Sequence, residues 1–197
     1  MSVPAVILCR MDEKTFWALM DELSRRTGDR AERLSGLREE LLRLPAEAVV
    51  EFQAHLEAAC DAVTMETLLR AVMRIESGLC SDDGFDYFAL WLVAQGRATY
   101  EAVLADPDAL ADIPEVRALA GRDVRVWRDD EWPEWEELDY VAKEAFDALA
   151  GEDEEAFYEA LEALQEGRDT PEEDEAGVVE EPETPRLDAL FPVRARA

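Results

Sequence analysis

Apolar positions along the chain recur at three and four rather than at two, and this spacing predicts helices almost throughout. Asp12 is placed to cap a helix whose Phe16, Leu19, Met20 and Leu23 share a face, ending at Gly28. Asp29 caps a second, with Leu34, Leu37, Leu41 and Leu42 as its stripe, and Pro45 stops it. Pro45 suits the first turn of a third helix, Ala46 to Val63, with Val49, Phe52, Leu56, Ala59 and Val63 inward. Thr64 caps a fourth, which runs through Leu68, Leu69, Val72 and Ile75 to Gly78. Connections this short imply mostly antiparallel neighbours.

A fifth helix follows Ser81 as N-cap, with Asp82 and Asp83 in the first turn, where exposed N–H groups favour carboxylates. Phe85, Phe88, Ala89, Leu92 and Val93 fill one broad face, with Tyr87 and Trp91 beside it, so this is the expected central helix. Gly96 ends or bends it, Ala98 to Leu104 resumes, and Asp106-Pro107-Asp108 turns into another short helix. Val124 to Trp127 reads as a short strand without a clear partner. Pro133 begins an acidic helix with Leu138, Val141, Ala142, Ala145, Phe146 and Leu149 inward and Gly151 at its end. Phe157, Leu161 and Leu164 mark a last helix, closed by Gly167. From Arg168 the chain is rich in Pro, Glu, Asp and Thr and reads as a disordered tail that carries an apolar island at residues 187–191. The expected class is all-α: a compact multi-helix bundle of short antiparallel helices in one domain, 12–167, with a disordered acidic C-terminal tail, 168–197. Residues 1–11 admit three readings: a short strand, a loose leader or an early start.

Several blocks carry a resemblance: Phe16-Trp17, Cys80-Ser81-Asp82-Asp83-Gly84-Phe85, Trp91-Leu92, Gln95-Gly96-Arg97 and Asp106-Pro107-Asp108-Ala109-Leu110. Through them, residues 12–113 resemble the bacterial family of domain of unknown function 4240. Tyr140 to Phe146 resembles a later part of it, which takes the likeness to about residue 151. The resemblance implies no activity.

Charge changes the picture most. The 48 acidic and 20 basic residues give a net of -28. Between Asp129 and Glu183 stand 24 acids against Lys143 and Arg168, whereas residues 1–128 hold 23 acids and 15 bases. The back of the chain is therefore the anionic part. It repels nucleic acid and anionic lipid and attracts basic proteins or divalent cations, although charge of this kind also serves solubility alone. The apolar run Val3 to Leu8 is too short to span a bilayer and lacks a preceding basic segment, so a cytoplasmic location without membrane contact is expected. Cys9, Cys60 and Cys80 are odd in number and lack a Cys-x-x-Cys spacing, which speaks for free thiols. Cys60 reads as a small buried hydrophobe. Cys80 precedes a helix N-terminus, whose dipole lowers a thiol pKa, although a small buried hydrophobe is again favoured over a reactive thiol.

Asp82, Asp83 and Asp86 fall within about 100° of helical arc, a spacing that lets three carboxylates share a hard cation such as magnesium. The plainer account has Ser81 and Asp82 capping while Asp83 and Asp86 are solvated or paired with Arg97. Gly84 in the first turn costs up to about 1 kcal/mol relative to Ala, which hints at a close approach there. His55, the sole histidine, reads as a boundary residue, and phosphate-cradling glycine loops are lacking, so no cofactor is expected. Trp127, Trp132 and Trp135 beside Arg122, Arg125 and Arg128 suit a protein interface or simple packing. Leu187, Leu190 and Phe191 read either as a stray apolar patch in a frayed terminus, the slightly favoured account, or as a short turn that orders on docking into a groove, its own or a partner's. Two functions follow. The first is a non-enzymatic interaction or regulatory module binding a basic protein partner through the acidic third, and the second is a small metal-dependent enzyme or divalent-cation-binding protein using the three aspartates. Oligomeric state is open.

Overall fold

Helix caps fix most of the architecture in the computed structural model, which describes residues 10–151, 154–166 and 182–192. Among these residues every regular element is a helix, in agreement with the all-α expectation. The chain groups into two compact units: one draws on residues 1–58 and 137–170, the other on residues 59–136 and 171–197.

In the first unit, α1 (Glu13–Arg25) begins where Asp12 Oδ1 accepts from the Thr15 N–H at 2.8 Å and from its hydroxyl at 2.6 Å. α2 (Arg30–Leu41) starts in a capping box, Asp29 and Glu32 each accepting from the other's backbone N–H, which satisfies two orphan donors at once. α3 (Ala46–Asp61) buries Val49, Phe52 and Leu56, and Phe16 of α1 packs 5.4 Å from Phe52. α8 (Glu137–Ala150) packs on α2 and on α9 (Glu154–Gln165), where Phe146 meets Phe157 edge to face at 5.3 Å. Buried Gln53 joins α3 to α8 by donating to Glu57 and Asp139, both at 3.1 Å.

The second unit contains α4 (Met65–Ile75), α5 (Asp82–Val93), α6 (Arg97–Ala105), α7 (Pro114–Leu119) and α10 (Pro185–Leu190). Ser77 and Gly78, at φ of 56° and 81°, close α4 in the left-handed region. α5 is buried along most of its length: Phe88 and Leu92 are fully enclosed, and Phe88 lies 5.9 Å from Phe85 and 5.6 Å from Trp91. A 3₁₀ turn, Pro107–Asp112, follows α6 and is capped by Asp106, whose Oδ1 accepts from the Asp108 N–H at 3.0 Å. This turn packs against α4, α6, α7 and α10 together.

Four expectations need correction. Val124–Val126 is a 3₁₀ turn rather than a strand, because Asp123 caps it locally by accepting from the Arg125 N–H, leaving Val126 outward. The acidic helix begins at Glu137, four residues after Pro133, because Trp135 between them is buried and its N–H donates to the Tyr87 carbonyl at 2.9 Å. Leu149 is 40% exposed, since cover along α8 ends before its last turn. Thr64 occupies the N-cap of α4, but its hydroxyl pairs with Thr67 Oγ1 at 3.0 Å instead of capping a backbone N–H. The tail assigned to disorder falls mostly outside the described residues, as do residues 1–9. Its apolar island is ordered: α10 is a helix with Leu187 fully buried.

Two predictions follow from α5. Replacing Trp91, 3% exposed, by Ala should cost roughly 3 to 5 kcal/mol. Denaturant unfolding checks this, and a loss below 1 kcal/mol would mean that the ring is not packed. Ser81→Ala should cost about 1 kcal/mol while Ser81→Asp keeps the cap, a contrast readable from thermal melts of the three chains.

Candidate functional site

The chemistry around α5 begins with its cap. Ser81 Oγ accepts from the Gly84 N–H at 3.0 Å, as the sequence suggests. Asp82, Asp83 and Asp86 are all exposed. Among the described residues, no group of three or more His, Cys, Asp or Glu side chains is gathered so as to hold a metal ion. Arg97, considered as a partner for these aspartates, forms an ion pair with Glu101 at 2.6 Å.

Beneath the cap lies a site that the motif reading missed. Glu76, just beyond α4, has no exposed surface, and neither carboxyl oxygen has a hydrogen-bond partner. Burial pushes its pKa up to about 8, aided by the negative charge of Glu134, while the Cys80 thiol beside it works in the opposite direction. Cys80 is correspondingly pushed up to about 12 by burial and by Glu76 and Glu134, which overrides the lowering expected from the helix N-terminus. Gly84 belongs to the same cluster. A Cβ there would stand 3.1 Å from Glu134 Oε1 and 3.2 Å from Ser81 Oγ, so the close approach hinted at by a glycine in the first turn is made by the Glu134 side chain. The sequence did contain a signal for Glu76: it stands four residues after Val72 and seven after Leu69, on the apolar stripe of α4. The buried Glu76 carboxyl and the half-buried Cys80 thiol, both with raised pKa, hold their protons and offer no activated nucleophile at neutral pH.

The second cluster surrounds Asp108, which is 4% exposed. Its Oδ1 accepts from the Leu187 N–H at 2.9 Å, and its Oδ2 accepts from the Arg186 N–H and Nε, each at 3.0 Å. Arg186 also donates to Asp112 at 2.5 Å and to Asp106 at 3.3 Å. Arg74 of α4 pairs with Asp188 at 2.6 Å. Burial would push the Asp108 carboxyl up, but the two backbone donors and the guanidinium hold it below the ordinary aspartate value. Of the apolar island, Leu187 is fully buried, while Leu190 and Phe191 are half-buried.

The tryptophans divide. Trp135 and Trp127 are buried at 1% and 8% exposure, and Trp132 packs edge to face on Trp127 at 5.1 Å while remaining partly open. Two of the three therefore serve as packing within the second unit. Arg122, at one end of this segment, makes a bidentate pair with Glu131, both bonds 2.8 Å. His55, half-buried in the first unit, stacks on Phe16 and its Nε2 lies 3.2 Å from the Met11 carbonyl, so it is structural. Cys60 is half-buried rather than enclosed, and Cys9 lies outside the described residues. On α8 and α9, Glu137, Asp139, Glu144, Glu155, Glu159, Glu162 and Glu166 are all exposed, whereas Lys143 is tied to Asp147 at 2.6 Å.

Glu76 makes stability pH-dependent in a defined direction. Its folded pKa lies above the ordinary value of 4.5, so its contribution is fully present below that value and is lost as pH rises to about 8. Glu76→Gln should therefore unfold at about the same denaturant concentration as the native chain at pH 4.5. At pH 8.5 it should be more stable by roughly 2 kcal/mol or more, since one pKa unit corresponds to about 1.4 kcal/mol.

The comparisons with known proteins assign a family without an activity. A family model described as Protein of unknown function (DUF4240) matches residues 11–148, taking in α1 to α7 and nearly all of α8. No curated protein and no solved structure matches the chain. Extending across well over half the sequence, that match shows that the chain belongs to the DUF4240 family of proteins of unknown function.

Proposed function

We propose that the chain is a non-enzymatic interaction module that binds a basic protein partner through its acidic C-terminal third. The observation that carries this reading is the concentration of charge: 24 acids against two bases from Asp129 to Glu183. On α8 and α9 the carboxylates point to solvent while the apolar positions Leu138, Val141, Phe157 and Leu161 are buried. The result is a helical pair with one face packed and the other anionic. Such a face accelerates encounter with a cationic surface and repels polyanions, so nucleic acid and anionic membranes are unfavoured partners. No described helix is long and apolar enough to cross a membrane. The half-buried Cys80 thiol, its pKa raised to about 12, and the buried Glu76 carboxyl add no activated nucleophile at neutral pH, which favours binding over catalysis. A cytoplasmic site of action goes with this reading.

The test is affinity capture from cell lysate at about 150 mM salt, where exposed charges act over roughly 8 Å. The native chain should retain a specific basic protein. Glu159→Gln, Glu162→Gln and Glu166→Gln together should reduce that retention severalfold without shifting the melting temperature by more than a degree or two, because all three side chains are exposed. Equal retention by both chains, or no basic protein on the native chain, would remove the reading.

A further inference from the structure

We propose that Asp106, Asp108 and Asp112 and the enclosed seat of Leu187 form a peptide-recognition site for a basic segment carrying an Arg-Leu pair. Residues 184–191 are its resident occupant, which a partner's segment of the same chemistry displaces. The inference rests on the basic-partner reading and gives the partner a defined seat in the second unit.

Three observations carry it. The first is convergence: three carboxylates of one 3₁₀ turn and its cap meet a single guanidinium, through Asp106 at 3.3 Å, Asp108 at 3.0 Å and Asp112 at 2.5 Å. The second is that recognition extends to the backbone. Asp108 takes the N–H groups of Arg186 and Leu187, the two donors that a helix leaves unpaired in its first turn, so the seat reads a helical start followed by a cation and an apolar side chain. The third is economy of the occupant. α10 has six residues, too few to hold a helix on its own, so its order comes from the seat, in which Leu187 is 0% and Thr184 1% exposed.

Removing this segment takes from Asp108 two backbone N–H groups and a guanidinium at once, which favours occupation by some segment of this pattern. The rim is open enough for exchange: the Arg186 side chain is 45% exposed and Asp112 65%. An occupant on the same chain competes with any partner at high effective concentration, so the resident helix sets a threshold that a partner must exceed.

The probe is a fluorescein-labelled peptide of residues 182–192, followed by anisotropy against full-length chains. The double variant Arg186→Ala, Leu187→Ala, whose own tail no longer fits, should bind the probe at least about tenfold more tightly than the native chain, and adding Asp108→Asn should abolish that binding. Glu159→Gln, Glu162→Gln and Glu166→Gln in the first unit should leave probe binding unchanged, so that failure of this seat and failure of the acidic-face reading remain separable. Far-UV circular dichroism and a retained thermal transition certify each chain. Should the double variant not fold, Arg186→Ala alone, altering a half-exposed side chain, carries the same comparison. Equal binding by native and tail-altered chains would overturn the proposal, as would absence of binding to a folded tail-altered chain. A native dimer that Arg186→Ala dissociates would also overturn it, by giving the seat to a second copy.

Discussion

A carboxylate removed from water must be given donors or given a proton, and the second unit contains one example of each solution. Asp108 stays ionised because two backbone N–H groups and a guanidinium take its lone pairs. Glu76 has no such partners and keeps its proton up to about pH 8 instead. Both acids sit on surfaces of α4 and the Pro107–Asp112 turn that face other elements. Their opposite fates determine what can be built there: Asp108 recruits the C-terminal helix, whereas Glu76 is buried as a neutral side chain near Cys80 and Glu134.

The Pro107–Asp112 turn shows how a short irregular element can organise regular ones. Pro107 fixes φ and lacks an N–H, Asp106 caps the turn, and α4, α6, α7 and α10 all pack on it. Tyr100 of α6, 6% exposed, ties into the same unit by donating its hydroxyl proton to the Ala59 carbonyl at 2.7 Å, and burial pushes its pKa up to about 12. A phenol held that firmly in its neutral form is a fixed donor across the whole working range of pH.

What was legible in the sequence followed from local rules. The caps at Asp12, Asp29 and Ser81 are dictated within three residues of themselves, and the burial of Phe88, Trp91 and Leu92 follows from the density of apolar side chains around one helix. The docking of the Leu187 turn was readable as a possibility because an amphipathic spacing needs a surface to cover. What was not legible depended on distant partners in one case and on a competing local cap in another. The helix end beside Cys80 argues for a lowered pKa, but burial first and then Glu76 and Glu134 raise it, and Glu134 lies 54 residues further along. The strand expected at Val124 was displaced by a cap only one residue away, a case where side-chain competition with the backbone outweighed β propensity. The three aspartates of α5 share an arc by periodicity, and the further ligands that a metal centre draws from other elements lie beyond what periodicity describes.

The enclosed Glu76 carboxyl has a consequence for the energetics of the whole chain. At pH 7 an unfolded glutamate is ionised, whereas this one is protonated once folding has buried it. Its burial therefore draws nearly one hydrogen ion from the solvent, while Cys80, protonated in both states at that pH, draws none. The heat released on folding must then include the ionisation enthalpy of whatever buffer supplies that ion, so calorimetric enthalpies in phosphate and in Tris will differ even though the protein undergoes the same change in both.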